Sequence, residues 1–412
     1  MFQMGQSFLE TLPENKVLKS PKNVSASENR QKSIVFICPD YHCSFLYRDE
    51  LRRRGWRADI YLPPGYPREL IYGTPDLVDR NPRSKRLTSL IPVQLSVMLN
   101  FIKCLYRYRY HFYYGRLEHF SLQELRVPFL GPRIVGFRSH LFITKLLRRK
   151  VIYVPSGTPD EVAVDLLRTF GNDEEGVAVE DRRSNEVHLA AVARYSDMSV
   201  GTGFVHTAEF PQTHFQYKCL DLSRWKPNIE VPSKFLLPPP PPSTLRILHS
   251  FMFGDERRAF QGGDIKGTRY VIEAVERLKS EGFQVELMMF DRVPSRDYIY
   301  IQAQADIVVE ELIRGCWGST AIECMALGKP VLTFIRPEWE QNYLRTFPEV
   351  KSLPICNTSK HNIYENLRKV VTDVEYRADL SKRGREFAEG FLDVRKNITD
   401  FEAKLLGLDD SP

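Results

Sequence analysis

Short apolar runs alternate with longer segments of helical periodicity in the first part of the chain. Residues 33–38 (SIVFIC) form a continuous apolar run of the length expected for a buried strand. Residues 46–55 have helical spacing, and residues 58–62 form the next apolar run. This order of strand, helix and strand predicts a parallel α/β sheet.

The same alternation continues to about residue 200. It predicts helices over 92–108 and 187–194, and strands over 110–114, 150–154 and 197–200. A run of five prolines at positions 238–242 then favours an extended, semi-rigid spacer.

A second α/β rhythm begins after the prolines. It predicts strands over 245–249, 285–289, 306–309 and 330–334, and helices over 266–281, 319–327, 361–374 and 376–406. Residues 1–31 are polar and aperiodic, which is typical of a flexible arm. We therefore expect two Rossmann-like α/β domains. The predicted boundaries are 32–237 for the first domain, 238–243 for a Pro-rich linker, 244–385 for the second domain and 386–412 for a closing helical segment.

Basic residues are concentrated near the start of the chain. The 412 residues carry 58 Lys and Arg and 52 Asp and Glu, a net charge of +6. Residues 1–150 hold 26 basic and 12 acidic side chains, whereas residues 151–412 hold 32 and 40. This asymmetry favours an anionic partner for the first part, either a membrane surface or a nucleic acid. The apolar content of 42% excludes a wholly disordered chain and a multi-span membrane protein.

The lack of a visible secretory signal and the spacing of the cysteines predict a cytoplasmic protein. The N-terminal residues MFQMGQSFLETLPENK are acidic where a secretory signal needs an apolar core. The most apolar stretch, 87–101, is too short and too polar to span a bilayer. The seven Cys lack metal-type spacing and are interpreted as reduced thiols, with Cys316 and Cys324 as small buried side chains.

The segment 315–330 (GCWGSTAIECMALGKP) is the most informative in the chain. It follows a predicted strand and opens a helix, so the backbone N–H groups of Gly318, Ser319 and Thr320 can bind an anion. Glu323, one turn later, can accept hydrogen bonds from vicinal hydroxyls such as those of a ribose. The alternative is a capped helix, with Ser319 or Thr320 as N-cap and Glu323 closing a capping box.

Lys266 is a second candidate for anion binding. It begins a long predicted helix, where a cation is electrostatically unfavourable, and this favours a phosphate partner over an ordinary solvated lysine. Arg257 and Arg258 in the preceding loop are further candidate diphosphate ligands, with a solvated loop as the alternative.

Other common chemical motifs are missing from the sequence. There is no D-x-D pair, no His/Cys cluster with metal spacing, and no GxGxxG, Walker A or GxSxG motif, so no metal site is predicted. The histidines His188, His206, His214 and His249 are spread out and are interpreted as structural or surface residues.

Residues 103–116 (KCLYRYRYHFYYGR) mix aromatic and basic side chains. Such a run suits a membrane interface or a single-stranded nucleic acid, and the alternative is the end of a helix leading into a strand. The earlier predicted helix supports an interface because it is strongly basic on one face, through Arg48, Arg52, Arg53 and Arg54. We therefore predict an anionic membrane surface as a partner of residues 48–116, and no nucleic acid.

Residues from about 245 to 400 resemble the donor-binding domain of family 4 glycosyltransferases, a retaining family with the GT-B fold. IKGTRYVIEAVERLKSEG resembles the family's KGT…EA helix, and GSTAIECMALGKPVLTFI resembles its EGfG…EAMAcGkPVv element. LSKRGREFAEGFLD resembles the closing helix, which in that family crosses back to the N-terminal domain. Upstream, YSDMSVGT and LDLSRWKPN resemble the segment that precedes the second domain.

The resemblance implies two Rossmann-like domains that face each other across a cleft, with the donor bound by the second. It implies that Lys266 binds the donor diphosphate, that Glu323 binds the nucleotide ribose, and that both serve catalysis. The further donor-binding residues that it implies are Gly267, Arg258, Gly318, Ser319 and Thr320. On the acceptor side it points to the loop of Ser156, Gly157 and Thr158.

Three positions depart from the family pattern. Gly315 replaces the Glu that the family has eight positions before Glu323. The sequence HSF at 249–251 replaces an Arg, for which Arg257 or Arg258 could substitute. The first-domain loop that often supplies a His reads PSGT at 155–158.

The expected function is transfer of a sugar from a nucleotide-diphosphate-sugar to a glycan or lipid-linked acceptor, with retention of configuration. The resemblance implies that no metal or other cofactor is needed, since the nucleotide sugar is a substrate. Cell-surface polysaccharide or glycolipid synthesis at the inner membrane face would suit such an enzyme. The alternatives are a GT-B-fold sugar-nucleotide epimerase or hydrolase, and a non-catalytic relative.

Overall fold

Two parallel sheets, one in each half of the chain, organise the molecule. The structure, a computed structural model, describes residues 32–40, 42–64, 71–79, 87–114, 139–154, 190–201, 213–214, 217–250, 266–290, 293–313 and 315–408. The candidate residues Ser156, Gly157, Thr158, Arg257 and Arg258 lie outside this part of the chain.

The first sheet follows the predicted alternation of strands and helices. Its elements are β1 (Ser33–Ile37), α1 (Cys43–Arg53), β2 (Arg57–Leu62), β3 (Leu77–Val78), α2 (Leu87–Arg107), β4 (Tyr110–Tyr114), α3 (Ser139–Leu146), β5 (Lys150–Val154), β6 (Met198–Gly201) and β7 (Thr213–His214). Among the described residues the strand order is β3-β2-β1-β4-β5-β6-β7, and every pair is parallel. Helix α2 starts at Leu87 rather than at 92, and it contains Pro92.

The second sheet is also parallel. Its elements are β8 (Leu245–His249), α4 (Thr268–Ser280), β9 (Val285–Met288), α5 (Ser295–Gln302), β10 (Ile307–Val309), α6 (Ser319–Ala326), β11 (Val331–Thr333), α7 (Pro337–Thr346), β12 (Cys356–Asn357), α8 (Ile363–Thr372), α9 (Val374–Phe391) and α10 (Val394–Gly407). The strand order within the described residues is β12-β11-β10-β8-β9. The predicted helix over 376–406 is wrong in one respect, because Asp393 caps a new helix there by accepting a hydrogen bond from the Arg395 amide.

Each sheet is covered on both faces, as expected for a parallel sheet. Along β1, Ile34 and Phe36 belong to one core, whereas Val35 and Ile37 belong to the core on the opposite face. This alternation follows from the two-residue period of a strand. Helix α2 covers the second of these faces.

The last helix, α10, packs against the first sheet and not the second. Its residues Ile398, Phe401 and Leu405 are buried in the same core as β1, and the rings of Phe401 and Tyr47 of α1 lie 4.8 Å apart. Glu402 strengthens this contact by accepting a hydrogen bond from the Trp56 indole N–H at 2.7 Å. The two halves of the chain are therefore joined both near the prolines and through α10.

Residues 236–242, which contain the prolines, form neither helix nor strand. The Leu237 amide donates to Gln304 Oε1 at 2.8 Å, and the Gln304 amide group donates to the Phe235 carbonyl at 2.9 Å. These bonds hold the start of the proline run against the second half of the molecule.

Candidate functional site

The predicted anion-binding residues that the structure describes lie at the carboxyl edge of the second sheet. Lys266 precedes α4, and Gly318 precedes α6, which follows β10. The Leu312 amide donates to the Lys266 carbonyl at 3.2 Å, which joins the two loops. Ligands of open parallel sheets bind in the crevice outside this edge.

One carboxylate, that of Glu310, links these two loops. Its Oε1 accepts a hydrogen bond from the Lys266 ammonium, and its Oε2 accepts one from the Gly318 amide at 2.9 Å. The Thr333 hydroxyl donates to Oε2 at 3.4 Å. Glu310 is only 1% exposed. The two groups predicted to hold a donor phosphate thus already hold an anion of the protein itself.

The charge on Glu310 is stabilised despite its burial. Burial opposes ionisation, but the Lys266 ammonium and the Gly318 N–H hold the pKa of this carboxyl below its usual range. The site is therefore a matched pair of opposite charges, with the carboxylate at the positive end of helix α6.

A side chain at position 318 would meet this carboxylate. A Cβ at position 318 would lie 2.6 Å from Glu310 Oε1. Gly318 is the N-cap of α6, and within the described residues no side chain caps this helix. The alternative of a capping box formed by Ser319 or Thr320 with Glu323 is therefore wrong, and the Thr320 hydroxyl instead lies 3.1 Å from that of Ser250.

Glu323 points to the boundary between the two halves of the molecule. It is buried, and its Oε2 accepts a hydrogen bond from the Gln302 amide group. Its Oε1 lies 3.6 Å from Nδ1 of His42, which directly precedes α1 of the first sheet. The His42 ring lies 5.8 Å from the ring of Trp225. Glu323 thus connects the second sheet to the loop that follows β1.

Gly267 has a backbone role beside Lys266. Its φ of +74° lies in the left-handed region, where residues with a Cβ are strained. A Cβ there would also approach Leu312 to within 2.9 Å. Gly267 therefore lets the loop turn closely over the end of β10 and places the Lys266 side chain next to Glu310.

Gly315, which stands where the family 4 pattern has a Glu, also has a required conformation. Its φ is +88°, and a Cβ would overlap the side chain of Arg336. The Gly315 amide donates to Glu311 Oε1 at 2.7 Å, and the Arg336 amide donates to the Gly315 carbonyl at 2.9 Å. The buried arginine therefore leaves no room for a carboxylate side chain at this position.

Most of the predicted basic face of α1 is paired within the protein. Arg48 and Arg52 are buried, and Arg52 pairs with Asp59 and Asp76. Arg48 pairs with Asp49 and Asp76, Arg53 with Glu50, and Arg54 with Glu402 of α10. The prediction of a free basic face is therefore wrong for Arg48 and Arg52, which are buried and paired, whereas Arg53 stays exposed.

Much of the basic–aromatic run 103–116 is also core. Tyr108, Tyr110, Phe112 and Tyr113 are buried around β4, which supports the alternative of a helix leading into a strand. Burial lowers the pKa of His111 to about 3, so this histidine is neutral. Lys103, Tyr106 and Arg107 at the end of α2 remain exposed.

The sequence interpretation missed Glu310, Glu311 and His42. Two consecutive Glu residues directly after a buried strand were the available signal, since that position faces the carboxyl edge of the sheet. His42 follows β1 in the same way.

The remaining side chains of the described regions add no metal site. Within those regions no group of three or more His, Cys, Asp or Glu side chains could hold a metal ion. None of the described helices has the length and apolar character that crossing a membrane requires.

The seven cysteines are all free thiols, and burial raises the pKa of Cys324 well above its usual range.

Comparisons with known proteins relate the chain to others only through its fold. No family model matches the sequence, and no curated protein matches it. Among solved structures, the chain is similar to sucrose-phosphate synthase from Thermosynechococcus elongatus, with a TM-score of 0.57 and 14% identity over 92% of this chain and 100% of that one.

Two further structures are similar over a comparable length. A glycosyltransferase from Rickettsia africae matches with a TM-score of 0.53 and 11% identity, over 93% of this chain and 100% of that one. HepE from Anabaena, in complex with UDP-glucose, matches with a TM-score of 0.51 and 12% identity, over 90% of this chain and 99% of that one. Together with the two parallel sheets, these matches show that the chain has the two-domain α/β GT-B fold.

Proposed function

We propose that the chain is a glycosyltransferase that moves a sugar from a nucleotide-diphosphate-sugar to a glycan or lipid-linked acceptor. The observation that carries the proposal is the anion cradle formed by the Lys266 ammonium and the Gly318 amide around the Glu310 carboxylate. An ammonium and a helix N-terminus that together hold a carboxylate can equally hold a phosphate. HepE, which has the same fold, binds UDP-glucose.

The donor diphosphate would take the place of Glu310 at Lys266. The first turn of α6 contributes amide groups at Ser319 and Thr320 that the helix itself does not use. These donors would stabilise the charge that develops on the leaving diphosphate, so we propose that transfer needs no metal ion. We also propose that the sugar is transferred with retention of configuration, and that the enzyme acts in cell-surface polysaccharide or glycolipid synthesis.

Glu323 would bind the ribose of the donor. An ionised carboxylate has about four acceptor positions, of which the Gln302 amide group uses one. A vicinal pair of hydroxyls could therefore bind beside Gln302. Since His42 lies 3.6 Å from the other oxygen of Glu323, a donor bound to Glu323 would also lie next to a residue of the first half of the molecule.

One observation favours a non-catalytic relative as a second candidate. Glu310 already neutralises Lys266, and position 315 carries no carboxylate that could bind donor-sugar hydroxyls. A protein in which these contacts are permanent would bind no nucleotide sugar. Whether a diphosphate can displace Glu310 from Lys266 therefore distinguishes a glycosyltransferase from a non-catalytic relative.

A thermal-shift screen with UDP, UDP-glucose and other nucleotide sugars tests the proposal. A ligand specific for the native state raises the melting temperature in proportion to the logarithm of its concentration. We expect one nucleotide sugar to stabilise the chain and to be turned over only when an acceptor is present. Turnover without an acceptor would indicate an epimerase or hydrolase, and no stabilisation by any nucleotide sugar would indicate a non-catalytic protein.

A further inference from the structure

Helix α2 exposes an apolar stripe on the side that faces away from the first sheet. The five side chains of this stripe are between 42% and 67% exposed and recur at the helical spacing of three and four residues: Leu95, Met98, Leu99, Ile102 and Tyr106. On the opposite side of the same helix, Val97, Phe101 and Cys104 are buried against the sheet. The helix is therefore apolar on two faces, and the sheet covers only one.

Helix α3 and the loop after it extend the stripe. Phe142, Leu146 and Leu147 are also exposed. The Arg149 guanidinium donates to the carbonyl of Leu105 in α2 at 2.7 Å, which joins the loop to the end of α2. Leu141 of α3 is buried in the same core as Val97 of α2, so the two helices lie on the same face of the first sheet.

The charged residues of α2 and α3 themselves are all basic. Neither α2 nor α3 contains Asp or Glu. Lys103, Arg107 and Arg148 are exposed beside the apolar side chains. The nearby Asp197 is paired with Lys145 and with Lys150 at 3.8 Å. The surface therefore combines exposed apolar groups with positive charge.

We propose that the α2 stripe docks the protein on an anionic lipid bilayer, with the helix lying in the plane of the interface. Apolar side chains at such a surface bury into the boundary of headgroups and acyl chains, and flanking Lys and Arg bind anionic headgroups. Tyr106 has the amphipathic ring that suits the headgroup level. This partner lies beyond the proposed sugar transfer, because α2 packs on the first sheet whereas Lys266 lies at the edge of the second.

The charge pattern favours a bilayer over a second copy of the chain. A twofold contact places the same patch of both copies together. The basic residues Lys103 and Arg107 would then meet an equally basic surface, since neither helix offers a carboxylate to pair with them. Anionic lipid supplies the missing negative charge.

Flotation of the full-length protein with vesicles tests the docking. The vesicles contain phosphatidylcholine alone or with about one third phosphatidylglycerol. We expect the wild-type protein to float with the anionic vesicles at low salt and to float less at high salt. No flotation with anionic vesicles, or equal flotation with neutral ones, overturns the proposal.

Two variants assign the binding to the stripe. Leu99→Gln/Ile102→Gln removes exposed apolar groups, and Lys103→Gln/Arg107→Gln removes the charges; each should lower partitioning by about tenfold or more. The control Ile272→Gln/Val374→Gln changes exposed apolar residues of the second half and should float as the wild type does. Unchanged flotation of both stripe variants overturns the proposal.

The same variants distinguish docking from the proposed transfer. UDP-glucose binding, if present, should be equal in the wild type and in Leu99→Gln/Ile102→Gln, so either proposal can fail without the other. Light scattering tests whether a second copy of the chain covers the stripe instead. If the wild type is a dimer and Leu99→Gln/Ile102→Gln is a monomer, a second copy covers the stripe and membrane docking is overturned.

Discussion

The Gly318 amide donates a hydrogen bond to Glu310 Oε2 over 2.9 Å, so a carboxylate of the protein lies at the N-terminus of helix α6. The same carboxylate binds the Lys266 ammonium. The protein therefore carries a built-in anion in the position where the proposed function requires a phosphate. Donor binding has to compete with this anion, and the competition can be measured.

Glu310→Gln should raise the affinity for a nucleotide diphosphate. Glutamine keeps an oxygen that accepts from the Gly318 amide but removes the negative charge beside Lys266. We expect UDP to bind about tenfold more tightly, because Lys266 is no longer neutralised. Isothermal titration calorimetry with UDP gives the dissociation constants.

Glu311→Gln is the matched control for this change. Glu311 is the adjacent carboxylate, and it accepts from the Gly315 amide instead. Its substitution should leave the affinity for UDP close to that of the wild type. If Glu310→Gln binds UDP no better than the wild type does, Glu310 is not a competitor of the phosphate.

Lys266→Ala should abolish UDP binding and also destabilise the protein. The buried Glu310 would lose its cation, and an unpaired buried charge costs about 3 kcal/mol of unfolding free energy. Lys266→Ala/Glu310→Gln should recover most of this stability without restoring binding. Urea unfolding and calorimetry separate the two effects, and turnover by the recovered double variant at the wild-type rate would exclude a catalytic role for Lys266.

The sheets could be predicted from the sequence because each strand is a local apolar run. Strand β1 and its parallel pairing with β2 follow from the spacing of residues 33–62. Helix α10 is different, since its packing on α1 depends on contacts such as Phe401 with Tyr47, which lie far apart in the sequence. Local periodicity identified this segment as helical but could not locate its partner, and only the resemblance implied that it crosses back to the first domain.

The candidate site was predictable only in part, for the same reason. Lys266 and Gly318 were recognisable as anion ligands from their places before helices. The place of their common partner Glu310 directly after a buried strand was a local signal, but its pairing with groups of two separate loops leaves no local pattern. Similarly, Arg52 resembled a free surface charge until the structure placed it against Asp59 and Asp76.

Gly315→Ala should destabilise the second half of the chain. The positive φ of +88° is strained for alanine, and the added Cβ would overlap Arg336. We expect a loss of about 2 kcal/mol or more in unfolding free energy. Gly315→Glu, which introduces a larger side chain at the same position, should be at least as unstable.

A double-mutant cycle with Arg336→Ala separates the overlap from the backbone strain at Gly315. Gly315→Ala/Arg336→Ala should lose less stability than the sum of the losses of the two single variants. Alanine at position 336 lacks the side-chain atoms that the Cβ at position 315 would overlap. Strictly additive losses would show that Arg336 does not restrict position 315.

Glu402→Gln should weaken the docking of α10, and the effect should depend on pH. Burial opposes ionisation of Glu402, but the hydrogen bonds from Trp56, Arg54 and Lys32 hold its pKa below the usual range. The charged form therefore stabilises the fold above the unfolded pKa of about 4.3, and this contribution is lost as the pH falls through the lower folded value. Its size at neutral pH is about 1 kcal/mol because solvent screens the pair.

Urea unfolding at neutral and acid pH measures this dependence. The stability difference between the wild type and Glu402→Gln should shrink on acidification. The control Glu389→Gln changes an exposed carboxylate paired with Arg385 within α9, and it should have little effect at either pH. A difference for Glu402→Gln that stays constant with pH would show that the carboxylate charge does not stabilise α10.

Glu323→Gln should reduce discrimination between UDP and 2′-deoxyuridine diphosphate. Glutamine can still accept a hydrogen bond from Gln302, so the local packing is kept. The charged acceptor for a ribose hydroxyl is lost, however, and a hydrogen bond to a charged group corresponds to about tenfold in affinity. The wild type should therefore prefer UDP by about tenfold, whereas Glu323→Gln should bind both nucleotides with similar, weaker affinity.

Calorimetry with both ligands gives the comparison, and His42→Ala serves as a control that alters the neighbour of Glu323 but keeps its carboxylate. If Glu323→Gln keeps the full preference for UDP, the ribose hydroxyl is bound elsewhere and Glu323 serves the contact between the two halves of the molecule.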